Sequence, residues 1–323
     1  MKHILIILKT MLFFTSTVFA QQNIANKTWT NGDMEYRVSL EKNSFIFEGF
    51  DRNEGGFGFA LNKQTDGKLQ VSEIQNASVS YYCSEQYLGS TVEYKNIKGQ
   101  ELLFFRNKKG AIVDIFTTGK LQDMLTNTLI RYLAGSYTDA SGKVYVFSAD
   151  AARANGFGSA EQYTFDNEYY VPDFIISFAN NKTYRISRKP ITNGVRLHFE
   201  PYSKDDYDQW QASKTGQSFT LTKTIWTNNS NDENIQGRYP FTSLKVLTRG
   251  ELIVFTNDEL DIMRNEIFAR HGHIFKTDRY RNYFNAQSWY SGLFEDATNR
   301  LSEIEKLNIE QIKAVQEYLK KAN

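Results

Sequence analysis

One cysteine, four prolines and four histidines are all that the 323 residues contain. With Cys83 alone, no intrachain disulfide can form, so a disulfide-stapled framework is excluded and the fold must rest on packed cores. Cys83 itself reads as a small buried hydrophobe in a strand. The histidines leave little material for metal or nucleophile chemistry. Neither a Cys-x-x-Cys pair, a His-Glu-x-x-His element nor a Gly-x-Ser-x-Gly elbow is present, so catalytic residues and metal ligands are not assigned and no cofactor is expected. Charge of one sign is also lacking: the formal net charge is +1 and acids and bases are interspersed, without the basic footprint that a nucleic-acid partner requires.

Long apolar runs are missing too. The first apolar stretch, Ile4 to Leu8 and Met11 to Phe14, is broken by Lys9 and falls short of the roughly 20 residues that span a bilayer. With Lys2 and His3 ahead of it and Val18-Phe19-Ala20 behind, it reads as a secretory signal peptide over residues 1–20, cut after Ala20. The expected product is exported, periplasmic or extracellular, with no transmembrane segment after cleavage. Loss of Lys2 and Lys9 takes two positive charges from the chain and leaves the formal charge at −1.

What the chain has in quantity is aromatic and apolar residues, 15% and 41%, enough for several cores in a chain of this length. Alternation at Met34, Tyr36, Val38 and Leu40, at Phe57, Phe59 and Leu61, and at Ala77, Val79 and Tyr81 predicts half-buried strands. Turn signals lie between them at Gly55-Gly56, Asp66-Gly67 and Lys109-Gly110. The texture recurs at Val144 and Val146, at Phe174, Ile176 and Phe178, at Tyr184 and Ile186, and at Val195, Leu197 and Phe199, with Asn180-Asn181 as a turn. The openings rhyme around Trp29 and Tyr137. Residues 21–120 and 121–227 are therefore expected to be two tandem antiparallel β modules, each a small barrel or sandwich of lipocalin-like size, with a short helix from Leu121 to Leu133 joining them.

The polar run Asn228 to Gln236 reads as a linker over 228–238, and the texture then becomes helical to residue 323. Leu260, Met263, Ile267 and Phe268 form a stripe that Asn257 or Asp258 is placed to cap, and Gly272 stands where a helix end needs a left-handed residue. Ser302 to Glu305 has the capping-box form ahead of an apolar face of Ile304, Leu307, Ile312, Val315 and Leu319.

Three stretches, Met263-Arg-Asn-Glu-Ile-Phe-Ala-Arg-His-Gly-His-Ile-Phe275, Ser288-Trp289-Tyr290 and Leu301-Ser-Glu-Ile-Glu-Lys-Leu-Asn308, resemble the YARHG domain family over about residues 239–315. Phe268 stands where that family usually has tyrosine. The resemblance implies a small helical domain at the end of a secreted bacterial protein, with cell-wall or envelope association, and brings no catalytic mechanism. The fold class expected for the whole chain is thus multidomain β plus α.

Arg264, Glu266, Arg270 and His271 crowd into little over two helical turns. They support three readings. A structural clamp would use Glu266 with Arg270 as an i,i+4 pair and Arg270 with His271 at the helix C-terminus. A ligand site would pair the Arg264 and Arg270 forks with the aromatic faces of Trp289 and Tyr290 for a glycan or peptide stem. A metal or acid-base site would use His271, His273 and Glu266. The carboxylates Asp205, Asp206 and Asp208 lack the spacing of a calcium loop and read as a solvated turn. The expected function is a non-catalytic binding or interaction protein for peptidoglycan, another cell-wall component or an envelope protein. An envelope hydrolase using His271 and Glu266 and a structural assembly protein are the alternatives.

Overall fold

The computed structural model describes residues 23–322 except 33–34, 43, 50–57, 67, 76–86, 120–127, 131, 149–150, 159–161, 167–173, 192–193, 207–208 and 224–234. The leader at 1–20, the strand expected around Cys83, the Gly55-Gly56 turn, the start of the joining helix, Asp208 and most of the linker lie outside these residues. The chain resolves into two compact units, Met1–Met124 with Leu247–Gly250, and Leu125–Val246 with Glu251–Asn323.

The first unit is a closed barrel of strands in sequence order: β1 (Thr28–Thr30), β2 (Glu35–Glu41), β3 (Ser44–Gly49), β4 (Gly58–Lys63), β5 (Leu69–Gln75), β6 (Thr91–Ile97), β7 (Gln100–Arg106) and β8 (Ile112–Thr118). Antiparallel pairing of β1 with both β2 and β8 closes the ring of strands. The alternation read at Tyr36 and Val38 is the buried face, 1% and 4% exposed, while Leu40 near the strand end is 40% exposed. A barrel of eight strands is just wide enough for side chains to fill, and here the filling is aromatic. Phe47 stacks on Phe59 and Phe105 packs on Phe116, each with ring centroids 4.6 Å apart, and Tyr36 stacks on Phe116 at 5.3 Å. Between β6 and β7 the two turn residues Lys98 and Gly99 both have positive φ, 52° and 85°, the primed turn whose twist matches the flanking strands.

In the second unit a sheet runs in the order β11 (Ala154–Asn155), β10 (Val144–Phe147), β9 (Gly135–Thr138), β17 (Phe219–Lys223), β15 (Gly194–Lys204), β14 (Thr183–Ile191), β13 (Phe174–Phe178) and β12 (Tyr163–Asp166), with β16 (Trp210–Ala212) paired to β15 off this path. A bridge between Arg153 and Gln162 joins its two ends, so this sheet also nearly closes. The Asn180-Asn181 turn joins β13 to β14, with Asn181 left-handed at φ 63°. One expectation is corrected. Val144 and Val146 are not the interior face of β10 but 54% and 37% exposed, because Tyr145 and Phe147 pack inward on Phe157.

The opening rhyme has a structural counterpart. Trp29 Nε1 donates to the Ile24 carbonyl at 3.0 Å and the Tyr137 hydroxyl to the Leu133 carbonyl at 2.8 Å. In each module the first-strand aromatic therefore fills the core and ties its polar tip to the chain just upstream, which satisfies a donor that burial would otherwise leave unpaired.

The helical region contains α1 (Arg249–Ile253), α2 (Asn257–Arg270), α3 (Asp278–Asn285) and α4 (Glu303–Ala322), with short 3-10 turns at Pro240–Ser243 and Thr298–Arg300. The cap of α2 is Thr256 rather than Asn257 or Asp258. Thr256 and Glu259 form a reciprocal capping box, which satisfies two of the free amide groups where a single Asn or Asp would satisfy one. At the other end Gly272, φ 76°, donates its amide to the Ala269 carbonyl, and His273 N reaches Phe268 O. Ser302 and Glu305 cap α4 reciprocally, and Ile304, Leu307, Ile312 and Val315 make its buried face.

Candidate functional site

The side chains singled out in the sequence divide among three separate tasks. The first is a clamp centred on Arg270. Its Nε donates to the Gln236 carbonyl at 2.8 Å, Nη1 to Thr242 Oγ1 and Ser243 Oγ at 3.0 and 2.8 Å, and Nη2 to the Tyr239 carbonyl and Glu266 Oε1 at 2.7 and 2.6 Å. All five N–H groups of the guanidinium are thereby used. Glu266, 1% exposed, also accepts the backbone amides of Arg238 and Tyr239, each at 2.7 Å. Gly237 makes room for this carboxylate, since a Cβ there would sit 2.5 Å from Glu266 Oε1.

Through Ser243 the clamp continues to Glu305, whose carboxylate accepts the Ser243 hydroxyl at 2.6 Å and the His271 Nε2 proton at 2.9 Å. Burial pushes the Glu305 carboxyl up, but the hydrogen bonds from Ser243, Ser302 and His271 outweigh it and hold the group below the ordinary range. His271 thus pairs with Glu305 and Glu266 with Arg270, at the two ends of one hydrogen-bonded chain.

Arg264 performs a second task. It binds Asp261 at 2.8 Å and Gln316 of α4 at 3.1 Å, with its side chain 26% exposed. Trp289 and Tyr290 perform the third, packing on Phe275 and Phe284 in a half-buried aromatic cluster where the Tyr290 hydroxyl donates to the His273 carbonyl at 2.6 Å. Among the described residues no hydrogen bond, ion pair or ring contact joins Arg264 or Arg270 to Trp289 or Tyr290. His273 lies against Phe275 at 4.9 Å, apart from the His271–Glu305 pair. No three His, Cys, Asp or Glu side chains among the described residues come together as a metal ion requires.

Two buried polar clusters had no sequence signature. In the second unit Glu259 Oε1 receives Arg188 Nη2 at 2.9 Å and Arg238 Nη2 at 3.0 Å, with all three side chains at most 3% exposed. The Arg188 guanidinium lies 3.6 Å from the centre of the Tyr132 ring, a desolvated cation–π contact. Nearby, Lys223 donates to the Ala134 carbonyl at 2.6 Å; burial, together with the charges of Arg188 and Arg238, pushes its ammonium down to about 8. In the first unit Asp114, 0% exposed, accepts Asn31 Nδ2 at 2.8 Å, the Tyr87 hydroxyl at 2.6 Å and the Arg249 guanidinium. Arg249 reaches it from Leu247–Gly250, the segment that belongs with the barrel.

A cavity was also missed. At one end of the second sheet, beside the turns that join β9 to β10 and β13 to β14, a space of about 330 Å³ is lined by Tyr145, Phe157, Phe178, Tyr184 and Phe219 together with Lys143, Asn180 and Lys182. Its volume lies at the small end of the roughly 300–1,000 Å³ usual for small-molecule sites. The rings form a continuous wall, with Phe157 4.5 Å from Phe178 and 4.9 Å from Tyr145, and Tyr184 5.3 Å from Phe219.

Residues 241–317 match the YARHG domain family, so the C-terminal segment that carries the Arg270 clamp is a YARHG domain. No curated protein and no solved structure matches the chain.

Proposed function

We propose that this chain is an exported, non-catalytic binding protein of the bacterial cell envelope, with the second β module as its ligand-carrying part. One observation carries the reading: the cavity lined by Tyr145, Phe157, Phe178, Tyr184 and Phe219 lies at the end of a nearly closed sheet, where the described residues form a concave aromatic surface. The Arg270 clamp of the C-terminal segment, by contrast, offers no free donor, since every N–H of Arg270 is taken by this chain's own carbonyl, hydroxyl and carboxylate oxygens. The YARHG domain is then a scaffolding module, and the secreted bacterial context that its family implies supports a cell-wall component as ligand in preference to a soluble metabolite. Export rests on the leader read at residues 1–20.

The chain from Gln21 onward, incubated with insoluble cell walls and with soluble muropeptides, should be retained and should lose retention in Phe157→Ala but not in Arg264→Ala. Absence of retention on both materials would overturn the binding reading. Mass measurement of protein recovered outside the cytoplasm should show the chain beginning at Gln21; an intact leader on protein confined to the cytoplasm would overturn export.

A further inference from the structure

The cavity of the second β module has a composition more specific than its shape. Among the described residues its apolar walls are aromatic, and its polar lining comprises Lys143, Lys182 and Asn180 with no carboxylate. Aromatic faces without aliphatic side chains favour a flat or saturated ring whose C–H groups meet the π-system, not a flexible chain. The volume, about 330 Å³, suits one ring with short substituents.

The two lysines supply the second half of the recognition. Neither ammonium has an ion-pair partner among the described residues, and Lys143 lies 4.9 Å from the centre of the Tyr145 ring, so it hangs over the aromatic wall. One carboxylate stands on the same hairpin, Asp139, but its oxygens are occupied. It accepts the Ser141 amide at 2.8 Å, the Ser141 hydroxyl at 2.6 Å, the Lys143 amide at 3.1 Å and the Tyr145 hydroxyl at 3.0 Å. Hydrogen bonding from Ser141, which outweighs the opposing desolvation, keeps that carboxyl ionised and below its usual range. Its negative charge is committed to shaping the turn and to orienting the Tyr145 ring, and the ammonium groups remain available to an incoming anion.

The loop that completes the wall is built to hold a ring there. Gly156 and Gly158 flank Phe157 with φ of 102° and 88°, a conformation that side-chain-bearing residues rarely adopt. A Cβ on Gly156 would lie 2.8 Å from the Val144 carbonyl and 2.9 Å from the Tyr145 ring, so the glycine lets the loop close on β10 and places Phe157 between Tyr145 and Phe178.

We infer that this cavity binds a small six-membered ring carrying a carboxylate, with the ring against Phe157, Tyr184 and Phe219 and the carboxylate at Lys143 and Lys182. The inference rests on the binding-protein reading above and names its ligand class. A sugar acid of the muramic type and a simple aromatic acid share this chemistry, and the ring itself separates them.

Three probes resolve the question by titration followed by NMR of the exported chain: N-acetylmuramic acid, N-acetylglucosamine, which lacks the carboxylate, and benzoate. The acid sugar should bind on the order of tenfold more tightly than the neutral sugar, the scale expected for two charge-assisted contacts at an exposed rim. The double substitution Lys143→Gln with Lys182→Gln should remove that difference, and both sites are exposed enough that folding is untouched. Phe157→Ala should weaken every ring that binds. Benzoate tighter than the acid sugar keeps the ligand class and assigns it to an aromatic acid. Equal affinity for the two sugars, or acid-sugar binding indifferent to the lysine pair, overturns the inference while a binding protein for neutral wall fragments survives. If all three probes and the muropeptides leave the spectrum unchanged, both readings fall.

Discussion

Arg188 of β14 and Glu259 of α2, far apart in the chain, form an ion pair at 2.9 Å with side chains 2% and 0% exposed. The pair couples a strand of the second sheet to the helix that carries the YARHG motif. Arg238 shares the same carboxylate oxygen at 3.0 Å. One carboxylate thus compensates two buried guanidinium groups, and the three positions are not equivalent. Removing one partner of a buried pair costs about 3–5 kcal/mol because a charge is stranded in low dielectric. Glu259→Gln removes the carboxylate that both guanidinium groups share and is expected near the top of that range, whereas Arg188→Met leaves Glu259 paired with Arg238 and is expected to cost less. Urea midpoints of the two variants check the order, and a milder effect for Glu259→Gln would show that the carboxylate is not the hub.

Arg270 and Arg264 give a sharper contrast within one helix. Because five donors of Arg270 are engaged in a fixed fork, lysine cannot replace it, and Arg270→Lys is expected to lose about 2–4 kcal/mol, close to Arg270→Ala. Arg264, in a partly exposed pair with Asp261, is expected to cost under about 1 kcal/mol on replacement by alanine. Thermal unfolding of the three variants is the measurement, and a wild-type-like Arg270→Lys would refute the clamp.

Two glycines separate steric from conformational cost. At Gly237, φ is 112° and an added Cβ meets the Glu266 carboxylate at 2.5 Å; at Gly272, φ is 76° and the nearest atom is the Ser291 carbonyl oxygen at 3.2 Å. Gly272→Ala is expected to cost about 1–2 kcal/mol, chiefly for the left-handed backbone, since its contacts at 3.2–3.4 Å ask the neighbours for only a small shift. Gly237→Ala should cost more, since it also displaces the acceptor of the Arg238 and Tyr239 amides. Equal melting temperatures for the two variants would refute the distinction.

Lys223 makes stability depend on pH on the alkaline side. Its folded value of about 8 lies below the ordinary 10.5. Between these two values the unfolded chain holds a proton that the folded chain has released, so stability rises with pH across that window, by about 3 kcal/mol at most. Below the folded value both states are protonated and the slope vanishes. Urea midpoints measured from pH 7.5 to 10 should climb in the wild type relative to Lys223→Met; parallel curves would show that the ammonium is not buried at a cost.

The legible part of the fold was the part with short-range cause. Alternation at Tyr36 and Val38 or at Phe174, Ile176 and Phe178 reports a buried face through the two-residue period of a strand, and Gly272 and the Ser302–Glu305 pair report helix ends through local hydrogen bonding. Where two faces of one strand both carried apolar residues, as in β10, the pattern misled, because the larger rings of Tyr145 and Phe147 took the interior from Val144 and Val146. The cavity did leave a trace in the sequence: Gly56-Phe57-Gly58 recurs as Gly156-Phe157-Gly158. Only the folded sheet reveals that the second copy lies opposite Tyr184 and Phe219.

The sequence by itself determined the succession of β modules and helical terminus, the YARHG segment, and the absence of any disulfide framework, since each follows from periodicity, motif or residue count. Tertiary structure alone decided which charges are buried together. Asp114 meets Arg249, Glu259 meets Arg188, and Glu305 meets His271 through contacts between residues that no local pattern links. Desolvation makes such pairings obligatory once the cores close, yet it leaves no mark on the neighbours in sequence from which a partner might be read.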